Sequence, residues 1–503
     1  MNAAYDEPAN VYQVETCDLC IVGTGIAGMN ALYVASQYLP ASARVVLVDK
    51  NPDIGGMWTE TYDYVRLHQP HEMFTAGNIP WTLYKEPAYL ASKAEVLDQF
   101  RHCLNQLRDK FSVAEFYGYS YEEHREVSTN DGYEAHLICT PVHSNQGPLL
   151  IKAKRMIKAL GFRIPANDPL KFSSPNVKSL SPNDQNVLGT ELAESDAPIV
   201  VVGGGKTGMD TVHALVTRYP NRQINFIVGG GTIFINRNKA FPTGLKRWWG
   251  EPTTLEYTID LCLRYDGNNG NEIFEAFKSE RCVHLDGTGG QFVFGILSPE
   301  ENATIAAGIS ELIPDYLTDV VDIDGQTTMV FKSGERRPIE AGSWFINCTG
   351  YVMREEHPYE PYLSDKRTVV SIQPTSAIHF LTTFGAYFLV HLFYLGKLEK
   401  LPLYEIDFES FLPKEKATWP FAALTQSMYN TILIMDAVPN KVMADCGLDF
   451  DRWFPLYRRL IAGLKLKRNA ENYSDHFRKT LDAIRDRNTI RCGVLPSVES
   501  REN

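Results

Sequence analysis

A glycine-rich segment between an apolar strand and a helix constrains the fold of this chain more than any other feature. The strand at residues 19–22 leads into Gly23, Gly25 and Gly28. A second apolar strand then ends in an acid, Asp49. In such a unit the first glycine permits the tight turn, the second lets the backbone approach a pyrophosphate, and the third lets the helix pack on the strand. Asp49 is expected to accept hydrogen bonds from a ribose, with Lys50 beside it. We therefore predict that this unit binds a dinucleotide.

A second unit of the same kind begins at residue 198. Its expected contacts with a dinucleotide come from Gly203, Gly205, Lys206, Thr207 and Gly208. The acid that would close its second strand is missing, because Val228, Gly229 and Gly230 occupy that place. A carboxylate there would repel a 2′-phosphate, so its absence favours NADP over NAD. The candidate partners of that phosphate are Arg237, Lys239 and Lys206, and the alternative is that each is a solvated surface charge.

Composition and charge limit the class of protein. The chain has 503 residues, of which 44% are hydrophobic and 22% charged, as is typical of a globular protein with several domains. Its formal net charge of -12 would repel nucleic acid, so no nucleic-acid partner is expected. Nine scattered cysteines favour a reducing compartment, and residues 1–10 lack the pattern of a signal peptide. We therefore expect a cytoplasmic protein, and no metal site is predicted.

The two units predict an α/β chain with two Rossmann-like dinucleotide-binding domains. The segments IKALG at 157–161 and INCTG at 346–350 look alike, and each is typical of a strand whose last residues, such as Thr349 and Gly350, lie against a cofactor. One domain is therefore expected to be inserted in the other. We predict a first domain in two parts, 1–195 and 336–398, around a second domain at 196–335, with a helical region at 399–503.

Residues 368–396 contain no charged side chain and are strongly apolar toward their end. A membrane helix needs about 20 apolar residues, but this stretch contains Pro374, Gly385 and two histidines. We expect a buried strand, turn and helix around Gly385, and no membrane span.

With these motifs the chain resembles the flavin-containing monooxygenases, class B single-component flavoproteins. The resemblance covers about residues 17–396 and also rests on Gly55, Gly56 and Trp58 and on CTGY at 348–351. The segment YDYVRLHQP at 62–70 is similar to the plant YUCCA-type members. The resemblance implies FAD on the first unit, near Gly56, Met57 and Trp58, and NADPH on the second. It further implies that a C4a-hydroperoxyflavin, formed with O2, oxygenates a small organic substrate at nitrogen, sulfur or carbon.

The same resemblance places segment 62–70 at the flavin edge. Arg66, His68 and Gln69 are then the candidate catalytic residues, and His68 could donate a hydrogen bond to the peroxide or tune its proton. The alternative is a hydrogen-bonded loop histidine far from the flavin. Members of the family usually have a phenylalanine, glycine and histidine fingerprint before the second unit, and residues 172–192 contain no histidine.

Three other functions stay open at this point. An NADPH-dependent flavin oxidase or dehydrogenase that releases H2O2 would fit the missing fingerprint. A flavin disulfide reductase would need a dithiol beside the flavin, and Cys17 and Cys20 lie in or before a strand where positions three apart point to opposite faces. A non-catalytic flavoprotein would still need both glycine-rich loops.

Our hypothesis for the substrate is an aromatic or amine-bearing small molecule. Trp248 and Trp249 would suit an apolar pocket, although such pairs lie more often in a core or an interface. The basic amphipathic stretch at 458–468 could contact an acidic partner, with a solvated face as the favoured interpretation. A homo-oligomer is also compatible with the sequence.

Overall fold

The computed structural model describes the chain except for residues 1–12, 144–145, 162–166, 286, 351–358, 373–377, 380, 490–491 and 495–503. The fold contains two main sheets with parallel strands, and each sheet is built around one of the glycine-rich units.

The first sheet is mixed, with a parallel part and an antiparallel extension. The elements are β1 (Gln13–Val22), α1 (Ile26–Ala35), β2 (Arg44–Asp49), α2 (Met57–Glu60), α3 (Lys93–Arg108), β3 (Ser112–Tyr117), β4 (Tyr119–Thr129), β5 (Gly132–Pro141) and β6 (Leu149–Ala159). Their order in the sheet is β3-β2-β1-β6-β5-β4, in which β1, β2, β3 and β6 are parallel. β2 is an almost uninterrupted apolar run, because a parallel strand is covered on both faces.

The second sheet has five parallel strands, which lie in the order Glu311–Ile313, Ile224–Ile227, Ile199–Val202, Trp344–Asn347 and Lys178–Leu180. The elements along this part of the chain are β7 (Lys178–Leu180), α4 (Thr190–Glu194), β8 (Ile199–Val202), α5 (Lys206–Arg218), β9 (Ile224–Ile227), β10 (Thr232–Asn236), α6 (Arg237–Ala240), α7 (Thr254–Arg264), α8 (Gly270–Arg281), β11 (Cys282–Val283), β12 (Gln291–Leu297), α9 (Pro299–Gly308), β13 (Glu311–Ile313), β14 (Leu317–Ile323), β15 (Gln326–Phe331), β16 (Arg336–Pro338) and β17 (Trp344–Asn347). β11-β10-β12 and β14-β15-β16 form two smaller sheets beside it.

After the second sheet the chain returns to the first. β18 (Val369–Ile372) pairs in parallel with β6, and α10 (Thr382–Tyr394) packs on α1. The predicted fold class, with one Rossmann-type domain inserted in the other, is confirmed. The strand and the helix expected within 368–396 are present, and the turn between them falls largely outside the described residues. No helix in the described ranges combines the length and apolarity needed to cross a membrane.

Two strands depart from the expected domain boundaries. The boundaries 195/196 and 335/336 place β7 and β17 in the first domain, yet both strands pair in the second sheet, where Ile346 lies opposite Val201 and Leu180. The physical reason is that a short apolar strand is compatible with either parallel sheet. Which sheet it joins depends on pairing with a strand that is distant in sequence. The segments IKALG and INCTG are thus equivalent, because β6 pairs in parallel with β1 and β17 pairs in parallel with β8, each in the sheet of its own domain.

The C-terminal region is mainly helical, as predicted. It contains β19 (Tyr404–Ile406), α11 (Phe408–Phe411), α12 (Trp419–Ala437), α13 (Asn440–Ala444), α14 (Leu456–Arg468), α15 (Ala470–Arg487) and β20 (Cys492–Val494), with 3₁₀ turns at Phe450–Trp453 and, earlier in the chain, at His71–Met73 and Gln185–Leu188. Helices α12 and α15 pack on α7 and α8 through a buried cluster that includes Phe274, Phe277, Phe421 and Phe477.

Candidate active site

The first glycine-rich loop has the geometry of a dinucleotide-binding turn. Gly23 has a φ of +96°, and a Cβ added to it would lie 2.5 Å from the carbonyl oxygen of Ala159. A Cβ on Gly28 would lie 1.8 Å from the carbonyl oxygen of Gly23. Both positions therefore require glycine for packing inside the protein. Gly25 differs, because it begins α1 without a capping side chain and its added Cβ would make an ordinary 3.5 Å contact with Cα of Gly56.

Asp49, at the end of β2, is buried and hydrogen-bonded. One carboxylate oxygen accepts from the backbone N–H and the hydroxyl of Thr24 at 2.6 and 2.8 Å, and the other accepts the N–H of Asn51 at 2.9 Å. Carboxylate oxygens have further lone pairs, so contact with a ribose is still available. In the structure Asp49 fixes the glycine-rich loop to β2. Lys50 follows it and is half-buried.

The second loop repeats the geometry of the first. Gly203 has a φ of +120°, and its added Cβ would lie 2.4 Å from the carbonyl oxygen of Cys348. A Cβ on Gly208 would lie 1.8 Å from the carbonyl oxygen of Gly203. Gly205 begins α5 without a capping side chain, and no described atom lies within 4 Å of its added Cβ. An uncapped helix N-terminus with free space before it favours an anionic ligand.

Thr349 and Gly350 follow β17 and lie close to this loop. The N–H and hydroxyl of Thr349 donate to the side-chain oxygen of Asn347 at 3.2 and 2.6 Å. A Cβ on Gly350 would be 3.5 Å from the side chain of Asn167. The last residue of the motif CTGY lies outside the described residues.

Segment 62–70 lies against the second unit, although it follows the first in sequence. The hydroxyl of Tyr62 donates to Asp210 on α5 at 2.8 Å. Tyr64 shares a 2.8 Å hydrogen bond with the hydroxyl of Thr211, also on α5. The segment therefore joins the two domains.

His68 lies close to the second loop and to α6. Its backbone carbonyl accepts Nε of Arg237 at 2.8 Å. Burial, together with the positive charges of Lys206 and Arg237, lowers the pKa of His68 to about 3. The imidazole is therefore neutral near neutral pH, with one N–H donor and one acceptor nitrogen. Within the described residues neither ring nitrogen has a hydrogen-bond partner, which differs from a loop histidine held by hydrogen bonds.

Gln69 and Arg66 have opposite environments. Gln69 is buried, and its side-chain oxygen has no hydrogen-bond partner in the described parts of the chain. Arg66 is exposed, and its guanidinium donates to the carbonyl of Leu90 at 3.0 Å and to the hydroxyl of Tyr89 at 3.3 Å. Gln69 is thus buried directly after the partly buried His68, whereas the side chain of Arg66 lies at the surface.

The cations expected at the 2′-phosphate have protein partners. Nη1 of Arg237 forms a largely buried ion pair with Glu301 at 2.8 Å, because a capping box at the start of α9 places that carboxylate beside it. The ammonium of Lys239 donates to the carbonyl of Glu280. Both contacts are with residues far along the chain, which is why the spacing did not reveal them.

Lys206 is also engaged. Its ammonium pairs with Asp210, one turn further along α5, and the hydroxyl of Tyr62 donates to the same carboxylate. Sequence reasoning missed Asp210, although the spacing of four residues on a helix predicts such a pair. Thr207 completes the first turn of α5.

Tyr316 lies at the place of the missing acid, and Lys332 lies beside the ring of Tyr316. Gly229 has a φ of +58°, and its added Cβ would lie 2.6 Å from the ring of Tyr316. The hydroxyl of Tyr316 accepts the N–H of Gly230 at 3.3 Å. The ammonium of Lys332 is 5.3 Å from the centroid of the Tyr316 ring. Both side chains come from the segments around β14 and β15, so no local motif could have indicated them.

Trp58 and Met57 begin the short helix α2. Trp58 is buried and packs edge-to-face on Phe74, with ring centroids 5.9 Å apart. Met57 is half-buried. Trp58 is thus part of the hydrophobic core of the first domain.

Cys17 and Cys20 are buried in β1 as free thiols. Burial raises the pKa of Cys17 to about 12 and raises that of Cys20 well above its usual value. Thiols with such pKa values are poor nucleophiles, which disfavours the reading of this CxxC as a redox dithiol.

The fold and the two loops define a chain with two Rossmann-type dinucleotide-binding domains. Residues 21–80 match the family model of the NAD(P)-binding Rossmann-like domain. Uncharacterized proteins of Mycobacterium tuberculosis and Mycobacterium bovis are 29% identical to the chain over 216 residues. This alignment covers 39% of the chain and 35% of each relative, so the chain spans about a third of the length of the curated relatives it matches.

Three solved structures illustrate the similarity of fold. An ornithine N-hydroxylase of Kutzneria sp. 744 is 12% identical, with 76% of this chain and 99% of that chain covered and a TM-score of 0.48. A flavin-containing monooxygenase of Stenotrophomonas maltophilia has the same identity and coverage, with a TM-score of 0.45. A bacillithiol disulfide reductase of Staphylococcus aureus is 11% identical, with 77% and 99% covered and a TM-score of 0.45. Because these TM-scores lie below 0.5, we base the function on the geometry of this chain.

Proposed function

We propose that this chain is an FAD- and NADPH-dependent flavoprotein monooxygenase that oxygenates a small organic substrate with O2. The observation that carries the proposal is the pair of equivalent glycine-rich loops, each opening an uncapped helix, with segment 62–70 between them. Two dinucleotide sites joined in this way suit a nicotinamide that reduces a flavin.

FAD fits the first loop. The N-terminus of α1 has no capping side chain, and the backbone of Gly56 faces Gly25 across it. Such a cradle of backbone atoms suits a pyrophosphate, which side chains would exclude. Asp49 would accept from the ribose, while Trp58 and Met57 support the loop.

NADPH fits the second loop. Gly205 has free space before it, and no carboxylate follows β9. Tyr316 lies at that position with the ammonium of Lys332 over its ring, and the two would provide a phenol and a cation for the adenosine and its 2′-phosphate. We prefer this assignment to Lys239, whose ammonium donates to the carbonyl of Glu280, and to Arg237, which is paired with Glu301 although its Nη2 has no hydrogen-bond partner within the described residues.

His68 and Gln69 are the side chains that we assign to the reacting region. The bound cofactors would supply hydride transfer and the activation of O2. Burial, together with the charges of Lys206 and Arg237, lowers the pKa of His68 and keeps it unprotonated, so its ring can donate one hydrogen bond and accept another without a change of charge. The unpartnered oxygen of Gln69 can accept a donor from a bound ligand. Both residues would position ligand atoms through hydrogen bonds and exclude water, and neither would form a covalent bond.

The test compares the NADPH oxidised, the O2 consumed and the H2O2 released by the purified protein, with and without a panel of amines, sulfides and aromatic carbonyl compounds. A monooxygenase should form oxygenated product in proportion to NADPH with at least one class and then release less H2O2. An NADPH-dependent flavin oxidase would release H2O2 with every compound. A protein that neither binds FAD nor oxidises NADPH would contradict both.

A further inference from the structure

A band of apolar side chains is exposed on the C-terminal region, apart from the candidate active site. We call it the α14 surface, and its members come from the π-helical turn Lys246–Gly250 with the residue before it, and from α14. They are Leu245, Trp248, Trp249, Leu456, Tyr457, Leu460, Ile461 and Leu464. The side chain of Trp249 is 71% exposed and that of Leu464 is 67% exposed, so most of their apolar surface is open to solvent. An apolar area of this extent indicates a binding surface.

The exposed residues lie on one face of α14. Leu456, Leu460 and Leu464 are spaced four residues apart, and Tyr457 and Ile461 follow the same spacing beside them. Among the apolar residues of this helix, Ala462 and Leu466 are the buried ones. A surface helix of a globular protein normally turns its apolar stripe inward. Here the wide apolar face points outward.

The turn and the helix form one continuous surface. The ring of Trp248 stacks on that of Tyr457, with centroids 6.5 Å apart. Nη1 of Arg458 donates to the carbonyl of Arg247 at 3.3 Å, and Nε of Arg247 donates to the carbonyl of Trp453 at 2.5 Å. These contacts fix the turn that carries the two tryptophans to the first turn of α14.

The charge around the α14 surface is positive. Residues 242–250 and 456–468 contain no acidic side chain, although the whole chain has a formal net charge of -12. Exposed basic residues border the apolar face: Lys246, Lys465, Lys467 and Arg468. A twofold contact between two copies would bring these like charges together, which disfavours a second copy as the partner. An anionic surface complements them.

We propose that the α14 surface binds the face of a membrane that contains anionic lipid. Tryptophan and tyrosine at the border of a leucine-rich face, flanked by lysine and arginine, are the combination that rests at the headgroup level of a bilayer. The basic residues attract anionic headgroups, and the apolar side chains enter the outer part of the acyl region. This attachment is peripheral, needs no spanning helix, and does not depend on the proposed enzymatic function.

The test is co-sedimentation of the full-length protein with vesicles of phosphatidylcholine alone and of phosphatidylcholine mixed with phosphatidylserine. The wild type should bind the mixed vesicles, and added salt should weaken binding. Removing two charges in Lys465→Ala/Lys467→Ala should lower affinity about twenty-fivefold, since each basic residue contributes about fivefold. Leu460→Ser/Leu464→Ser should abolish binding. These positions are exposed, so both variants should keep the wild-type melting temperature.

The matched controls change similar residues elsewhere. Lys110→Ala/Lys416→Ala removes two exposed charges, and Tyr84→Ser removes a fully exposed aromatic side chain. Both controls should bind mixed vesicles like the wild type. The proposal is overturned if the wild type binds no vesicles, if the α14 variants bind as well as the controls, or if ultracentrifugation shows a dimer that Leu460→Ser/Leu464→Ser disperses while vesicle binding is absent.

Discussion

Replacing Gly205 with alanine should separate NADPH binding from folding. The backbone of Gly205 has φ −82° and ψ −175°, which alanine adopts readily, and its Cβ would meet no described atom within 4 Å. We therefore expect the free energy of unfolding to change by less than about 1 kcal/mol. The methyl group would occupy the space before α5 where we place the pyrophosphate of NADPH. Losing one charge-assisted contact costs about 1.5–3 kcal/mol, so the Kd for NADPH should rise roughly tenfold to a hundredfold.

Two further glycines provide the controls. A Cβ on Gly208 would lie 1.8 Å from the carbonyl oxygen of Gly203, so Gly208→Ala should lower the melting temperature sharply and lose both cofactor binding and fold. Gly463→Ala adds a methyl group on α14 that also meets no described atom within 4 Å. This variant should bind NADPH like the wild type. The assays are thermal denaturation, flavin content and NADPH titration under anaerobic conditions. A folded Gly205→Ala variant with the wild-type Kd for NADPH would refute the placement of the cofactor.

The remaining predictions concern the flavin, the choice of nicotinamide cofactor and the histidine. Gly25→Ala should fold but lose FAD, because its methyl group is tolerated by the protein and not by a pyrophosphate; full flavin occupancy would show that FAD lies elsewhere. The wild type should prefer NADPH to NADH in kcat/KM, Lys332→Ala should reduce that preference about tenfold, and Lys239→Ala should leave it unchanged; the opposite ranking of the two lysines would contradict our assignment. His68→Ala should keep FAD and continue to oxidise NADPH, but release more H2O2 per NADPH; product yield equal to that of the wild type would make it a structural residue. The pKa of His68 is lowered to about 3 from 6.5, so the unfolded chain binds this proton between those pH values and the folded chain does not. The contribution of this histidine to the free energy of unfolding is therefore present above pH 6.5 and is lost as the pH falls through that window. The melting temperature of His68→Gln should fall less over the same pH range than that of the wild type.

The two loops could be predicted from the sequence because their requirements are local. Gly23 and Gly28 touch each other within one turn, and Gly203 and Gly208 do the same. The spacing of glycines between a strand and a helix therefore carries the geometry. The insertion of one domain in the other also followed from the order of such units along the chain.

The rest depended on contacts between distant segments. β17 could belong to either sheet until its partner strands were known. The expected phosphate ligand Arg237 is paired with Glu301, and Tyr316, which precedes β14, contacts the glycines after β9. Arg66 lies two residues before His68, but its guanidinium bonds to Leu90 and so faces a different side of the segment. Side-chain direction in an irregular segment has no period that a sequence could show.

The most direct test of a chain that holds a flavin and accepts hydride from NADPH is anaerobic mixing of the purified protein with NADPH in a stopped-flow spectrometer. We predict a yellow protein with about one FAD per chain, whose flavin absorbance is bleached by NADPH much faster than by NADH and returns when O2 is admitted. A colourless protein that takes up no added FAD, or a bound flavin that NADPH does not reduce, would contradict the proposal.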